Sequence, residues 1–260
     1  RKFTEMFVNP LRSLADDMVA MSSLEALQTE DYFMGDMEIM SAASELRQLK
    51  TAFVSFRKAI RSWSKYVPPC VVERLLSQEL EAKIGVASCH VTVLFCDIDG
   101  FEDACRGLSP ERVLSLLSDV LGKIAEVIQA SEGTLLEFIG DEVLAVFNTP
   151  NFIKHHAAVA IASALEIHRV VGRMPRIPLE TGKMISIRCR IGINTATVLA
   201  GNLGSKSRMK YGVVGDGVNL AARLKSLNSR YGTGTLVSNS VLSRSCASKL
   251  VTRPVDIVAV

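Results

Sequence analysis

Ile39, Ala42, Leu46, Leu49, Phe53, Phe56, Ile60, Trp63 and Val67 alternate spacings of three and four residues, and the pattern stops at Pro68-Pro69. A 3.5-residue apolar repeat sustained over about four heptads is what a coiled-coil seam requires, and it is uncommon in a helix packed on its own domain. Glu45, Arg47, Lys50, Arg57, Lys58 and Arg61 lie between the seam positions and supply the polar faces. Two consecutive prolines then end the helix, because neither donates a backbone hydrogen bond and each disfavours helix in the residue before it. The chain is therefore expected to divide into a helical signalling segment (1–65), a linker (66–88) and a domain of different periodicity (89–260).

In that domain Val91 to Cys96 is a short, almost wholly apolar run, the pattern of a strand buried on both faces. Ser109-Pro110-Glu111 offers an N-cap, a proline at the first helical position and an acidic first turn. Val113, Leu116, Leu117, Val120, Leu121, Ile124 and Ile128 would share one face of the helix that follows. Strands are expected at Thr134–Phe138 and Val143–Phe147 around a tight Gly140-Asp141 turn, then a helix at His156–Val170 and a strand at Ile185–Ile193. A short strand (Tyr211–Val214) and a helix (Asp216–Leu227) come last. The order β-α-β-β-α-β predicts a ferredoxin-like α/β sandwich with additions.

With 260 residues, 48% of them hydrophobic, the chain can bury a sizeable core. A net charge of +3 and the lack of any basic run interleaved with aromatics argue against nucleic acid as a partner. The six cysteines form no CxxC pair, so free, buried thiols in a reducing compartment are expected. His155-His156 opens a helix-like stretch and is expected to be structural or superficial. No apolar run reaches the roughly 18 residues of a membrane span. The chain begins with Arg1, and it is expected to be a piece of a larger receptor-like protein anchored upstream in a membrane, lying on the cytoplasmic side.

Asp97 follows the first apolar strand directly, and Asp141 sits at the tip of the later hairpin. In a βαββ unit those two places can lie side by side. Each aspartate alone reads equally well as an ordinary turn residue. Two carboxylates brought together would repel unless cations lie between them. Mg2+ favours a few carboxylates together with water and phosphate oxygens, which suits a pair of aspartates without histidine.

Phe95-Cys96-Asp97-Ile98-Asp99-Gly100-Phe101, Glu137-Phe138-Ile139-Gly140-Asp141-Glu142, Arg190-Ile191-Gly192-Ile193-Asn194-Thr195 and Val214-Gly215-Asp216-Gly217-Val218-Asn219-Leu220-Ala221-Ala222-Arg223-Leu224 occur in that order. Together they resemble the successive signatures of class III adenylyl and guanylyl cyclases over about residues 85 to 260. The resemblance implies an enzyme that closes a nucleoside triphosphate into a cyclic monophosphate with two divalent ions, Mg2+ or Mn2+. It implies Asp97, Asp141 and the Ile98 carbonyl as metal ligands, and Asn219 and Arg223 as the pair stabilising the transition state. Arg190, with Gly100 and Phe101, would meet the substrate phosphates, and Arg188 could substitute for Arg190. Family members pair the aspartates of one chain with the Asn/Arg helix of another, so a homodimer is implied. Upstream, Asn9-Pro10-Leu11, an amphipathic run through Leu14, Met18, Met21 and Leu24, and a polar connector (Gln28 to Asp36) resemble a HAMP module.

Base choice in such enzymes rests on two positions, occupied here by Glu137 and Gly212. A carboxylate at 137 accepts from guanine N1–H and its 2-amino group, whereas it would face the lone pair of adenine N1. A bidentate base contact is worth roughly 1–3 kcal/mol of discrimination, so GTP is favoured over ATP. The bland alternative for Glu137 is a solvated strand residue. Glu102 replaces a frequent Thr or Ser near the phosphates, and would weaken binding unless it points away. A diguanylate cyclase and a degenerate, non-catalytic dimerisation domain are the rival readings. The Asn219/Arg223 helix speaks against the first, and the complete set of site residues against the second.

Overall fold

The structure, a computed structural model, describes residues 8, 11–12, 15–16, 44–77, 81–179, 182, 184–244 and 251–257. Leu14, Met18, Met21 and Leu24 of the expected first helix, the Gln28–Asp36 connector, seam positions Ile39 and Ala42, and Cys246 lie outside them. The chain divides into two compact units, Arg1–Lys83 and Ile84–Val260.

In the first unit, helix α1 (Ser44–Trp63) carries the seam and is followed by a 3-10 turn, Ser64–Tyr66. Val67 then takes an extended backbone (φ −126°, ψ 141°), the conformation a following proline imposes, so the last seam position is not helical. Pro69 opens a new helix, α2 (Pro69–Ser77), within the stretch expected to be a linker. Proline suits a first helical turn, where its missing N–H is no loss. Phe53 and Ile60 join Val72 and Leu76 in one apolar cluster, whereas Leu49, Phe56 and Trp63 stay exposed.

The second unit runs β1 (Gly85–Asp99), α3 (Phe101–Gly107), α4 (Pro110–Ala130), β2 (Thr134–Ile139), β3 (Glu142–Phe147), α5 (His156–Gly172), β4 (Ile177–Pro178), β5 (Met184–Ile185), β6 (Arg188–Ser205), β7 (Arg208–Val214), α6 (Asp216–Tyr231), β8 (Thr235–Val237) and α7 (Asn239–Leu242). The sheet order is β2-β3-β1-β6-β7, antiparallel throughout, with β8 parallel to β6; β4 and β5 form a separate pair. This is the expected mixed α/β sandwich.

From Val91 to Cys96 strand β1 is buried on both faces, and its period of two sorts its residues. Leu94, Cys96 and Ile98 join Val120, Ile124, Ile128, Ala160 and Ile167 in the core beneath α4 and α5. Val91, Val93 and Phe95 face the other way, in a cluster with Ala221 of α6. By the same alternation Asp97 falls on the α6 side. Gly192 lets α6 approach: a Cβ there would collide with the Ala221 carbonyl oxygen and the Lys225 backbone nitrogen.

β1 and β6 are much longer than expected, and they pair continuously from Gly85–Asn202 to Asp99–Arg188. Gly201, at φ +152°, sits where a side chain would strike the Gly85 carbonyl, so close backbone approach explains a glycine in mid-strand. Ile185, expected in the long strand, instead pairs with Ile177. Cys89, Cys96, Cys105 and Cys189 are free thiols; Cys96 and Cys189 are buried as expected, whereas Cys105 is exposed. His156 is half-buried and shares a 2.7 Å hydrogen bond with Thr92, a structural role. Among the described residues no helix is long and apolar enough to cross a membrane.

Candidate active site

Asp97 stands opposite Glu142 of β3 on one side and Arg190 of β6 on the other. Asp141 belongs to the two-residue turn between β2 and β3, next to Glu142. The end of β1 and the hairpin tip therefore meet, as the βαββ pattern implied. Asp97 Oδ2 lies 3.1 Å from an Arg190 guanidinium nitrogen and 4.0 Å from Lys225 Nζ; Arg190 also reaches Asp99 at 3.5 Å. Lys225 donates to Glu142 Oε1 at 2.6 Å. Burial pushes the Asp97 carboxyl above the usual carboxylate range. Lys225 and Arg190 oppose that shift, and the charges of Asp141 and Glu142 add to it.

Four carboxylates (Asp97, Asp99, Asp141, Glu142) thus meet two cations (Arg190, Lys225), so the cluster keeps two net negative charges in its ionised form. Among the described residues no group of three or more His, Cys, Asp or Glu side chains is arranged to hold a metal alone. Two aspartates and the neighbouring Ile98 carbonyl offer hard oxygen donors and leave coordination positions for substrate and water. That donor set fits Mg2+ or Mn2+. The Ile98 side chain is buried in the core on the opposite face, so only its backbone is available. Gly100 adopts a left-handed φ of +90° before Phe101 opens α3. Glu102 pairs with Arg106 one turn along α3 and is exposed. Arg190 Nε is buried without a hydrogen-bond partner, a spare donor in the same cluster.

Asn219 and Arg223 lie together on α6 and line a pocket of about 480 Å³ with Asn194, Thr195, Asp216 and Ser240. Asn194 Nδ2 donates to the Gly217 carbonyl at 2.8 Å and its Oδ1 accepts from Ser238, which fastens the first turn of α6. Neither Asp97 nor Asp141 lines this pocket. Lys225, two residues beyond Arg223, is about 200° away around the helix at 3.6 residues per turn. One face of α6 therefore meets the carboxylates of its own chain while Asn219 and Arg223 face elsewhere.

Glu137 on β2 accepts a 2.8 Å hydrogen bond from Lys210 on β7, 73 residues distant. Gly212, two residues beyond Lys210, pairs with Gly201. A Cβ at 212 would meet only the Leu203 Cδ1 atom, at 3.3 Å. A lysine that sequence reasoning passed over thus pairs with Glu137 and stands two residues before Gly212 on the same strand. Lys225 was missed likewise. Its only sequence signal is its offset of two from Arg223, which puts it on the opposite face of α6.

A model of the adenylate and guanylate cyclase catalytic domain matches residues 86–249. "Adenylate cyclase 1" of Rhizobium meliloti (strain 1021) is 32% identical over 232 residues, covering 89% of this chain and 34% of that protein. The chain thus spans about a third of that curated relative's length. A bacterial light-regulated adenylyl cyclase shares the fold, with a TM-score of 0.70 and 23% identity over 80% of this chain and 60% of that one. The guanylyl cyclase Cya2 is 36% identical, with a TM-score of 0.54 over 62% of this chain and 81% of its own. Motifs, fold and family model agree, and the chain belongs to the class III adenylate and guanylate cyclase catalytic-domain family.

Proposed function

We propose that this chain is a guanylate cyclase that converts GTP to cyclic GMP and pyrophosphate at two equivalent sites of a homodimer. The observation that carries the reading is the two-sidedness of α6. Lys225 engages Asp97 and Glu142 of its own chain, while Asn219 and Arg223 line a separate pocket, which supports a site completed by a second copy. Two-fold symmetry then makes two such sites. The exposed Leu49, Phe56 and Trp63 of α1 would continue the dimer as a parallel coiled coil.

In the reaction the ribose 3′-oxygen forms a bond to the α-phosphorus while the bond from that phosphorus to the bridging oxygen breaks, releasing pyrophosphate. Asp97, Asp141 and the Ile98 carbonyl would hold two divalent ions, which supply Lewis-acid activation of the attacking oxygen and charge neutralisation at the leaving group. Arg223, with its planar and permanently charged donors, meets the charge developing on the α-phosphate. Asn219, one turn earlier on the same face, holds the ribose and phosphate in line. Arg190, whose Nε is buried without a partner beside Asp97, would turn its donors to the phosphates. Glu137 accepts from guanine N1–H and the 2-amino group, and Gly212 leaves room at O6. The 36% identity to a structure described as a guanylyl cyclase supports the base assignment.

ATP as substrate is the second reading, favoured by the curated relative named an adenylate cyclase. The purified chain is given GTP and ATP separately with Mn2+, and the cyclic product is identified. Cyclic GMP in excess is expected, and predominance of cyclic AMP overturns the assignment. Asp97→Ala is expected to abolish product with either metal; unchanged turnover would sink the metal assignment.

A further inference from the structure

We propose that Asn194 is a positioning residue: its side-chain amide holds the first turn of α6 on β6 and so sets where Asn219 and Arg223 stand. The inference rests on the reading of those two residues as the transition-state pair and deepens it. Strand alternation puts Gly192, Asn194, Ala196 and Val198 on the side of β6 that faces α6. Ala196 and Val198 pack there in the apolar cluster that holds Ala221. Asn194 is the one polar side chain of that row, and it is 2% exposed. Burying an amide among apolar neighbours is costly unless it is hydrogen-bonded, so packing alone does not account for it.

Both polar atoms of the amide are engaged. Nδ2 donates to the Gly217 carbonyl at 2.8 Å, and Oδ1 accepts from Ser238 Oγ at 2.7 Å, with Ser240 Oγ at 3.1 Å. A carbonyl only accepts, so the amide cannot turn over without losing its bond to Gly217. Ser238 is the N-cap of α7, yet its hydroxyl makes no capping bond and serves Asn194 instead. Ser240 donates to the Thr195 carbonyl at 2.8 Å. β6, α6 and the start of α7 are thus joined at one amide. The helix also lies close at this point: a Cβ at Gly217 would collide with the Ala196 methyl and stand 3.3 Å from Asn194 Nδ2. Asn219 follows Gly217 by two residues and Arg223 follows it by six, and both share a pocket with Asn194 and Ser240. Without the amide the helix start is free to shift. A misplacement of about 1 Å in groups that act on the transition state can cost about a hundredfold in rate.

The test measures kcat and KM with Mn2+ and whichever of GTP and ATP turns over faster, in the parent chain, Asn194→Ala, Asn194→Asp and Ser238→Ala. Asn194→Ala should lower kcat about a hundredfold and change KM by less than about threefold, the mark of an effect on the transition state rather than on binding. Asn194→Asp keeps an acceptor for Ser238 but, when ionised, has no donor for Gly217, so it should lose as much. Ser238→Ala removes one partly buried hydroxyl and should lower kcat about tenfold. Thermal melting checks that each variant folds; if Asn194→Ala does not, Ser238→Ala takes its place, and an unchanged kcat there refutes the inference. Mixing then locates the defect. Asn194→Ala with an equal amount of Asp97→Ala should recover about one quarter of the parent's activity, because one site of each heterodimer takes its aspartates from the first chain and its α6 from the second. Asn194→Ala with Arg223→Ala should not recover. A general loss of stability would damage both halves of the chain and give no recovery with either. If Arg223→Ala rescues Asp97→Ala but Asn194→Ala does not, the role of Asn194 is refuted and the two-chain site stands. If Arg223→Ala fails to rescue Asp97→Ala although mixed dimers form, the two-chain site falls and the kinetic constants decide the role of Asn194. A kcat within about threefold of the parent's in both Asn194 variants, or a rise in KM alone, then refutes it.

Discussion

Replacing Lys225 with Met probes the cation at the centre of the carboxylate cluster. The Lys225 side chain is 10% exposed, with its ammonium 2.6 Å from Glu142 Oε1 and 4.0 Å from Asp97 Oδ2. Removing one partner of a buried ion pair costs about 3–5 kcal/mol, because the remaining charge loses its partner without regaining water. Here Glu142 is 31% exposed and keeps some hydration, and Asp97 keeps Arg190 at 3.1 Å. The expected loss is therefore about 2–3 kcal/mol, below that range. For a unit of this size it lowers the melting temperature by roughly 4–12 °C at about 2–4 °C per kcal/mol. The same change removes a positive charge that opposes a divalent ion. At 4 Å and an effective dielectric constant of about 20, two unit charges interact by about 4 kcal/mol, and a divalent ion doubles that to about 8 kcal/mol, an upper bound on that opposition. Mn2+ should consequently raise the melting temperature of Lys225→Met more than that of the parent chain. Thermal denaturation across an Mn2+ titration reads both effects. An unchanged melting temperature without metal, or a smaller stabilisation by Mn2+ in the variant, refutes the reasoning.

Other consequences lie farther from the carboxylates. Gly192→Ala drives a methyl group into the backbone of α6 at Ala221 and Lys225 and should destabilise the domain by about 3 kcal/mol or more, read from denaturant midpoints. Deleting residues 39 to 63 should weaken dimerisation in sedimentation or light scattering; an equally dimeric truncated chain would mean that the seam serves another purpose. His156 and His168 are held below the usual histidine range chiefly by burial, so both fold in the neutral form. Below about pH 6.5 the unfolded chain binds protons that the folded one refuses, and stability should fall as pH drops from about 7 to 5. Denaturation midpoints that rise over that interval would contradict the assignment.

The parts of the fold legible in the sequence are those where one physical rule acts alone. Val91–Cys96 is apolar at every position but Thr92 because both faces of β1 are covered there, and the helix after Ser109-Pro110 begins where its proline suits it. Asp97 and Asp141 could be brought together on paper because a strand end and the next hairpin tip have few places to go. The outer reaches of β1 and β6 were not legible: Gly201 and Gly204 offer no side-chain alternation to read, and they mark where two backbones come close. α2 was hidden because Pro69, a helix stop when read from upstream, is equally a helix start. Lys210 and Lys225 were invisible as site residues because their partners lie 73 and 83 residues away and only tertiary packing joins them. Glu137 was named for the base without its partner, the Lys210 ammonium 2.8 Å away.

The central claim is that Asp97 and Asp141 of one chain act with Asn219 and Arg223 of another. Mixing two inactive variants, Asp97→Ala and Arg223→Ala, tests it most directly. In each heterodimer one site is assembled from the intact halves and the other carries both lesions. Random pairing at equal concentrations makes half the dimers mixed, so activity should recover to about one quarter of the parent's level. If mixed dimers form, as verified with differently tagged chains, and activity stays at the level of either variant alone, each site is built within a single chain and the account is contradicted.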